Sequence, residues 1–169
     1  TLSNVTAFNG GTASDFATLL TSETNGLISG GITTQALTVD GTIGVSAAND
    51  LNTTTTGVVT ATITEGDMST LADLADKESG QSTDNAYTVT ITDTSVAAGA
   101  LNTLAGKTSV AVTGSAITTL TGTISDVNIA YANTSGITGL GNEAVTISDT
   151  DNSSNGVSIA DLNTLDDYT

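Results

Sequence analysis

Internal repetition is the feature that most restricts what this chain can fold into. Asp50-Leu-Asn-Thr53 recurs as Asp161-Leu-Asn-Thr164, and Ala100-Leu-Asn-Thr103 is a near copy. Looser copies are Asp15-Phe-Ala-Thr18, Asp67-Met-Ser-Thr70 and Ser125-Asp-Val-Asn128. A β-like stretch precedes three of them: Ala36-Leu-Thr-Val39, Tyr87-Thr-Val-Thr-Ile91 and Ala144-Val-Thr-Ile147. A longer echo runs from Ser14 to Thr53 and again from Ser125 to Thr164. A unit this short cannot bury an apolar face alone, so its neighbours must stack on it. Residues 1–169 therefore read as a single repeat array of about six strand-plus-short-helix units. The lone Met is Met68, and the chain is expected to be a piece of something longer or a processed product.

Within a unit the pattern changes period. Val59-Thr-Ala-Thr-Ile-Thr64, Thr88-Val-Thr-Ile-Thr92 and Ser109-Val-Ala-Val-Thr113 alternate small apolar residues with Thr, as half-buried strands do. Asp67 to Ala75 places Met68, Leu71, Ala72 and Ala75 on one helical face. Four stretches fit a Ser/Thr-x-x-Asp helix start: Thr12 to Asp15, Thr64 to Asp67, Thr123 to Asp126 and Ser158 to Asp161. There an acid meets the free N–H groups of the first turn. Gly26, Gly57, Gly80, Gly106 and Gly136 mark helix ends. The anchors Asp15, Asp50, Asp67, Ala100, Asp126 and Asp161 lie 35, 17, 33, 26 and 35 residues apart. A unit near 17 residues, sometimes doubled, accounts for three or four of these intervals, and that of 26 does not fit. The fold expected is mainly β, a β-solenoid with short helical turns in its coils. The alternative is a bacterial immunoglobulin-like β-sandwich, against which stand the helical stretches and a core without Trp.

Composition narrows function more than it narrows fold. Cys and His are absent, which removes thiol nucleophiles, Ser–His dyads and the usual zinc ligands. Eighteen acids against two bases give a formal charge of −16, the wrong sign for gripping nucleic acid or anionic lipid. No apolar run approaches the ~20 residues of a membrane-spanning helix, so no membrane insertion is expected. With only five aromatic residues and two lysines, a sugar-cleaving cleft is poorly provided for, and the expectation is a protein that is not an enzyme.

The stretches Ala160-Asp-Leu-Asn-Thr-Leu-Asp166, Thr119-Leu-Thr-Gly-Thr-Ile-Ser-Asp126 and Gly136 to Ile147 resemble repeats of very large secreted cell-surface and matrix proteins of marine bacteria, cyanobacteria in particular. The resemblance covers nearly the whole chain but carries no catalytic motif. It implies an extracellular structural role as a filament, surface-layer or adhesin-stalk segment. Its partners would be neighbouring repeats, copies of itself end to end, or cell-surface and matrix components.

Two binding readings compete with that role. The acidic balance invites a hard cation, and Asp149, Asp151, Ser153, Asn155 and Asp161 surround a loop like that of a dockerin or EF-hand. Counted from Asp151, however, the closing Asp161 falls at position 11 where 12 is needed. Calcium at these five residues would make the chain a calcium-dependent adhesion module. The rows Thr60/Thr62/Thr64, Thr88/Thr90/Thr92/Thr94 and Thr119/Thr121/Thr123 would each put hydroxyls on one strand face, a regular array suited to ice or another crystalline surface. Thr is also simply a good outward strand residue.

Overall fold

A computed structural model of the protein describes residues 5–150 and 157–168. The chain enters on β1 (Ala7–Gly11), α1 (Ala13–Thr24), β2 (Ala36–Ile43) and α2 (Val45–Thr54). It continues through β3 (Val59–Ile63), α3 (Met68–Leu71), β4 (Ala86–Thr88), β5 (Ser95–Ala97) and α4 (Ala98–Ala105). The last third holds β6 (Val112–Thr113), β7 (Thr119–Gly122), α5 (Ile124–Ala132), β8 (Ile137–Thr138), β9 (Ala144–Ile147) and α6 (Ile159–Asp166).

The fold is mixed α/β, which corrects the expectation of a mainly β solenoid. The segments read as brief corners are helices of up to 12 residues, and several strands shrink to two or three. The β-sandwich alternative fails too, because every strand pairing is parallel. Parallel neighbours cannot be joined by hairpins; they need a crossover, here supplied by the helices. The strands form sheets ordered β1-β2-β3-β4, β5-β7-β9 and β6-β8.

Thr obscured the helices in the sequence. Its branched side chain gives it low helix propensity. In α1, Thr18, Thr21, Ser22 and Thr24 turn their hydroxyls back onto the carbonyls of Ser14, Ala17, Thr18 and Leu20, so no polar group is stranded. The apolar residues meanwhile keep helical spacing: Phe16 and Leu20 in α1, Val45, Ala48 and Leu51 in α2, Ala98, Leu101 and Leu104 in α4. These side chains meet Leu37, Val59, Val96, Val112 and Leu120 of the strands in one continuous core. Each fully buried Leu, Ile or Val contributes about 1.5–3 kcal/mol.

The helix starts follow the expected pattern at three of four places. Thr12, Thr123 and Ser158 accept from the backbone N–H of Asp15, Asp126 and Asp161. At the fourth, the N-cap is Asp67 itself and Thr64 lies outside the helix. The Ser69 hydroxyl, then the Thr70 N–H and hydroxyl, donate to the Asp67 carboxylate and pull its pKa from 3.8 to about 2. A carboxyl that ionises more readily when folded stabilises at neutral pH, and its contribution is lost as pH falls from about 4 through about 2. Asp67→Ala is therefore expected to lower the melting temperature at pH 7, with the gap from wild type closing by about pH 2. Thermal melts at several pH values read this directly; a gap that persists undiminished in acid would refute it.

Candidate functional site

Side chains rather than a cleft organise the polar chemistry of this molecule. The helices carry a repeated lock on the unit that follows. Asn49, the fifth residue of α2, donates to the Asp73 carbonyl at 2.8 Å and accepts from the Ala75 N–H. Asn102, fifth in α4, donates to the Asp126 carbonyl at 2.9 Å, and Asn128, fifth in α5, to the Asp161 carbonyl at 3.1 Å. An acid from the next unit also closes the start of three helices. Val45 N–H reaches Glu65, Met68 N–H reaches Asp93, and Ile124 N–H reaches Asp149 at 2.6 Å. These carboxylates satisfy helix-start donors that no intrahelical carbonyl can reach.

The locks reveal the true period. Most of these bonds span 24 to 26 residues, and the strand pairings Thr60 with Ala86, Ser95 with Thr119 and Thr119 with Ala144 fall in the same range, so a 17-residue unit does not describe them. The identical tetrapeptides do not occupy equivalent helical positions. Asp161 is the third residue of α6, whereas Asp50 is the sixth of α2. Ala100-Leu101-Asn102-Thr103 does match Asp161-Leu162-Asn163-Thr164, both starting at the third helical position.

A second polar cluster is buried where α2, the 72–85 connection and β3 meet. Asn85 accepts from the Val59 N–H at 2.8 Å and from the Gln81 amide at 2.9 Å, and donates to Asn52 at 2.6 Å. Asn52 in turn donates to the Asp76 carbonyl, and Gln81 to the Gly57 carbonyl. Asn52 and Asn85 are wholly buried. Nothing in the sequence marked Asn85 or Gln81; they stand outside the repeated tetrapeptides.

Of the proposed calcium ligands, Asp151, Ser153 and Asn155 lie outside the described residues. Asp149 is engaged with the start of α5, and Asp161 exchanges hydrogen bonds with its N-cap Ser158. Among the described residues no three His, Cys, Asp or Glu side chains gather as a metal site. The bases are both occupied: Lys77 pairs with Asp84 at 2.9 Å, and Lys107 donates to the Ala72 carbonyl at the end of α3.

The Thr rows divide between faces of neighbouring strands. Thr42, Thr62 and Thr88 stand in register across β2, β3 and β4, all exposed. Thr90, Thr113 and Thr138 form a second column, with Thr113 half-buried. Near the C-terminal end, a cleft of about 350 Å³ is lined by Ala130, Tyr131, Ile137, Leu140 and Tyr168. Tyr131 and Tyr168 stack at 5.9 Å between centroids. The Tyr131 hydroxyl donates to the buried Glu143 carboxylate at 2.8 Å, which also receives the Gly141 N–H. Burial, with the Glu143 bond adding to it, pushes the Tyr131 phenol far above its ordinary value.

No protein-family model matches the chain, and no curated protein or solved structure matches it.

The surface left over is at the last helix. The first and fourth residues are buried in α2 (Val45, Ala48), α4 (Ala98, Leu101) and α5 (Ile124, Val127). Their counterparts in α6 are Ile159, 78% exposed, and Leu162, 46% exposed. Asn163, the counterpart of Asn49, Asn102 and Asn128, is exposed as well.

Proposed function

We propose that the protein is a structural segment of an extracellular assembly, serving as part of a filament, surface layer or adhesin stalk without catalysing a reaction. One observation carries this reading: polar side chains tie each of the helices α2 to α5 to the segment that follows it. Such an architecture transmits position along a stack, and each added unit extends it by the same rules. The charge of −16 keeps the sides of such a stack solvated and mutually repelling. The resemblance to secreted surface repeats of marine bacteria points the same way, and high ionic strength outside such cells would screen that charge to within a few ångströms.

The test is location and loss. Protease treatment of intact source cells is expected to strip the chain while a cytoplasmic marker survives, and deleting its gene to remove a surface structure or attachment. Persistence of the chain inside protected cells would overturn the reading. A rise in melting temperature with calcium but not with magnesium or sodium would replace it with calcium-dependent adhesion.

The exposed column Thr42, Thr62 and Thr88 supports a second reading, binding to ice or another crystalline surface. Neighbouring strands repeat at about 4.8 Å, which sets one dimension of the hydroxyl lattice. Recrystallisation inhibition that disappears in Thr62→Lys is the expected result; no inhibition by the wild-type chain removes this reading.

A further inference from the structure

Thr uses its hydroxyl in two different ways in this chain. On the helices Thr18, Thr21, Thr24, Thr103 and Thr164 each donate to the carbonyl four residues earlier. On the strands the hydroxyls are left over. Thr38 and Thr60 form one row across β2 and β3, and Thr42, Thr62 and Thr88 form a second across β2, β3 and β4. A third row begins at Thr90, two residues past β4, and continues through Thr113 of β6 to Thr138 of β8. Of these side chains, among the described residues only Thr138 donates to a protein atom, the Val112 carbonyl at 3.4 Å.

The three rows belong to one surface. Beyond β4 the backbone bonds directly to β6, with the Thr113 N–H on the Val89 carbonyl and the Ile91 N–H on the Thr113 carbonyl. Thr60 and Thr62 on one strand, and Thr88 and Thr90 on the next, are two residues apart and so share a face. The alternate residues Val59, Ala61, Tyr87 and Val89 are buried behind them. Charge avoids this face. Of the 18 acids and two bases, Asp40 alone lies within β2, β3, β4, β6 or β8, at the irregularity of β2 beside Gly10. A charged group would have to give up its water to sit against a solid face, at high cost; an uncharged hydroxyl field does not.

We propose that this face binds ice, on the prism faces of the hexagonal crystal. The proposal rests on the crystalline-surface reading of the Thr42 column and fixes its ligand and its extent. Neighbouring strands lie about 4.8 Å apart and alternate residues of one strand about 6.6 Å apart, which sets the hydroxyls on a near-rectangular grid. Prism faces present oxygens in rectangular repeats of similar size, whereas the basal plane repeats them with threefold symmetry. A Thr hydroxyl without a protein acceptor can both donate to and accept from lattice water. Wholly buried Leu37, Val59 and Tyr87 hold the strands at their spacing from beneath. Crystalline polysaccharide, the competing solid, is gripped by exposed aromatic rings, and these rows contain none. None of these hydroxyls takes part in the interlocks between units, so the face is open in a structural segment as well.

The test is adsorption of the whole chain, fluorescently labelled, to a single-crystal ice hemisphere, beside a recrystallisation assay. Fluorescence on the prism faces, with the basal plane dark, is expected. Thr90→Lys, in the third row and outside the Thr42 column, is expected to lose adsorption and recrystallisation inhibition with an unchanged circular dichroism spectrum. Thr138→Lys replaces it if that variant does not fold. Thr103→Lys, on α4, is expected to retain both activities. Inhibition lost in Thr62→Lys but kept in Thr90→Lys overturns the extended face and leaves the column reading standing. Adsorption to the basal plane alone overturns the prism assignment. Binding to crystalline cellulose or chitin with no effect on ice overturns the proposal and leaves only the broader crystalline-surface reading. A wild-type chain inert towards all of these solids removes both.

Discussion

Replacing Asn85 by Ala is expected to lower the melting temperature by about 6–20 °C, the largest effect of any polar substitution in this protein. The side chain is wholly buried and connects three segments. Its removal leaves the Val59 N–H without its acceptor, the Asn52 carbonyl oxygen without its donor, and the Gln81 amide with one partner fewer. Each stranded buried group costs about 1–3 kcal/mol, and the network linkage makes a total of about 3–5 kcal/mol reasonable. For a domain of this size each 1 kcal/mol moves the midpoint by about 2–4 °C. Asn163→Ala is the control: the same deletion at an exposed site should stay within about ±0.5 kcal/mol. Calorimetry on the two variants checks both values, and equal midpoints would show that the buried network contributes nothing.

Gly57→Ala is expected to cost nearly as much by a different route. A Cβ at Gly57 would lie 1.9 Å from the Gln35 carbonyl oxygen, 2.2 Å from its carbon and 2.7 Å from the Ala36 nitrogen. All three atoms belong to the backbone at the entrance to β2, so no rotamer change can relieve the collision. The preceding unit must move. Forcing extra carbon into a packed interior costs about 1–3 kcal/mol, and a collision with backbone belongs at the upper end or beyond. Movement there would also disturb the pairing of Leu37 with Val59 and the Thr55 hydroxyl bonds to the Thr33 and Gln35 carbonyls. The check is a melt of Gly57→Ala beside Gly26→Ala. A Cβ at Gly26 meets nothing within 4 Å, although its φ of +73° adds a strain of about 1 kcal/mol. A larger loss at Gly26 than at Gly57 would contradict the steric argument.

How far the sequence disclosed this structure can be read from particular residues. The stretch from Val59 to Ile63 is a strand as its alternation required, and Thr12, Thr123 and Ser158 cap helices as their spacing required. Those are local effects, fixed within a few residues. The period was misread because identical letters at Asp50 and Asp161 serve different helical positions, and chain similarity does not encode phase. The interval of 26 that fitted no 17-residue unit was the informative one, since Ala100 and Asp126 occupy the same third position in adjacent helices. The helix content was underestimated because Thr and Asn score poorly in helices, while tertiary burial of Leu51, Leu101 and Val127 outweighs that preference. Asn85 and Gln81 could not be found by pattern at all. Their partners Val59, Gly57 and Asn52 lie about two dozen or more residues away, and only the folded register brings them together.

The direction of the interlocks has a consequence for how the polypeptide is made. On the helical side the acceptor comes from the part of the chain synthesised later: Glu65 for Val45, Asp93 for Met68, Asp149 for Ile124, and the Asp126 and Asp161 carbonyls for Asn102 and Asn128. A helix emerging from the ribosome therefore stays incompletely bonded until about 25 more residues have followed it, at the 5–20 residues per second of translation. For α2 to α5, folding trails synthesis by one unit, and each of these helices is finished by the segment that follows it.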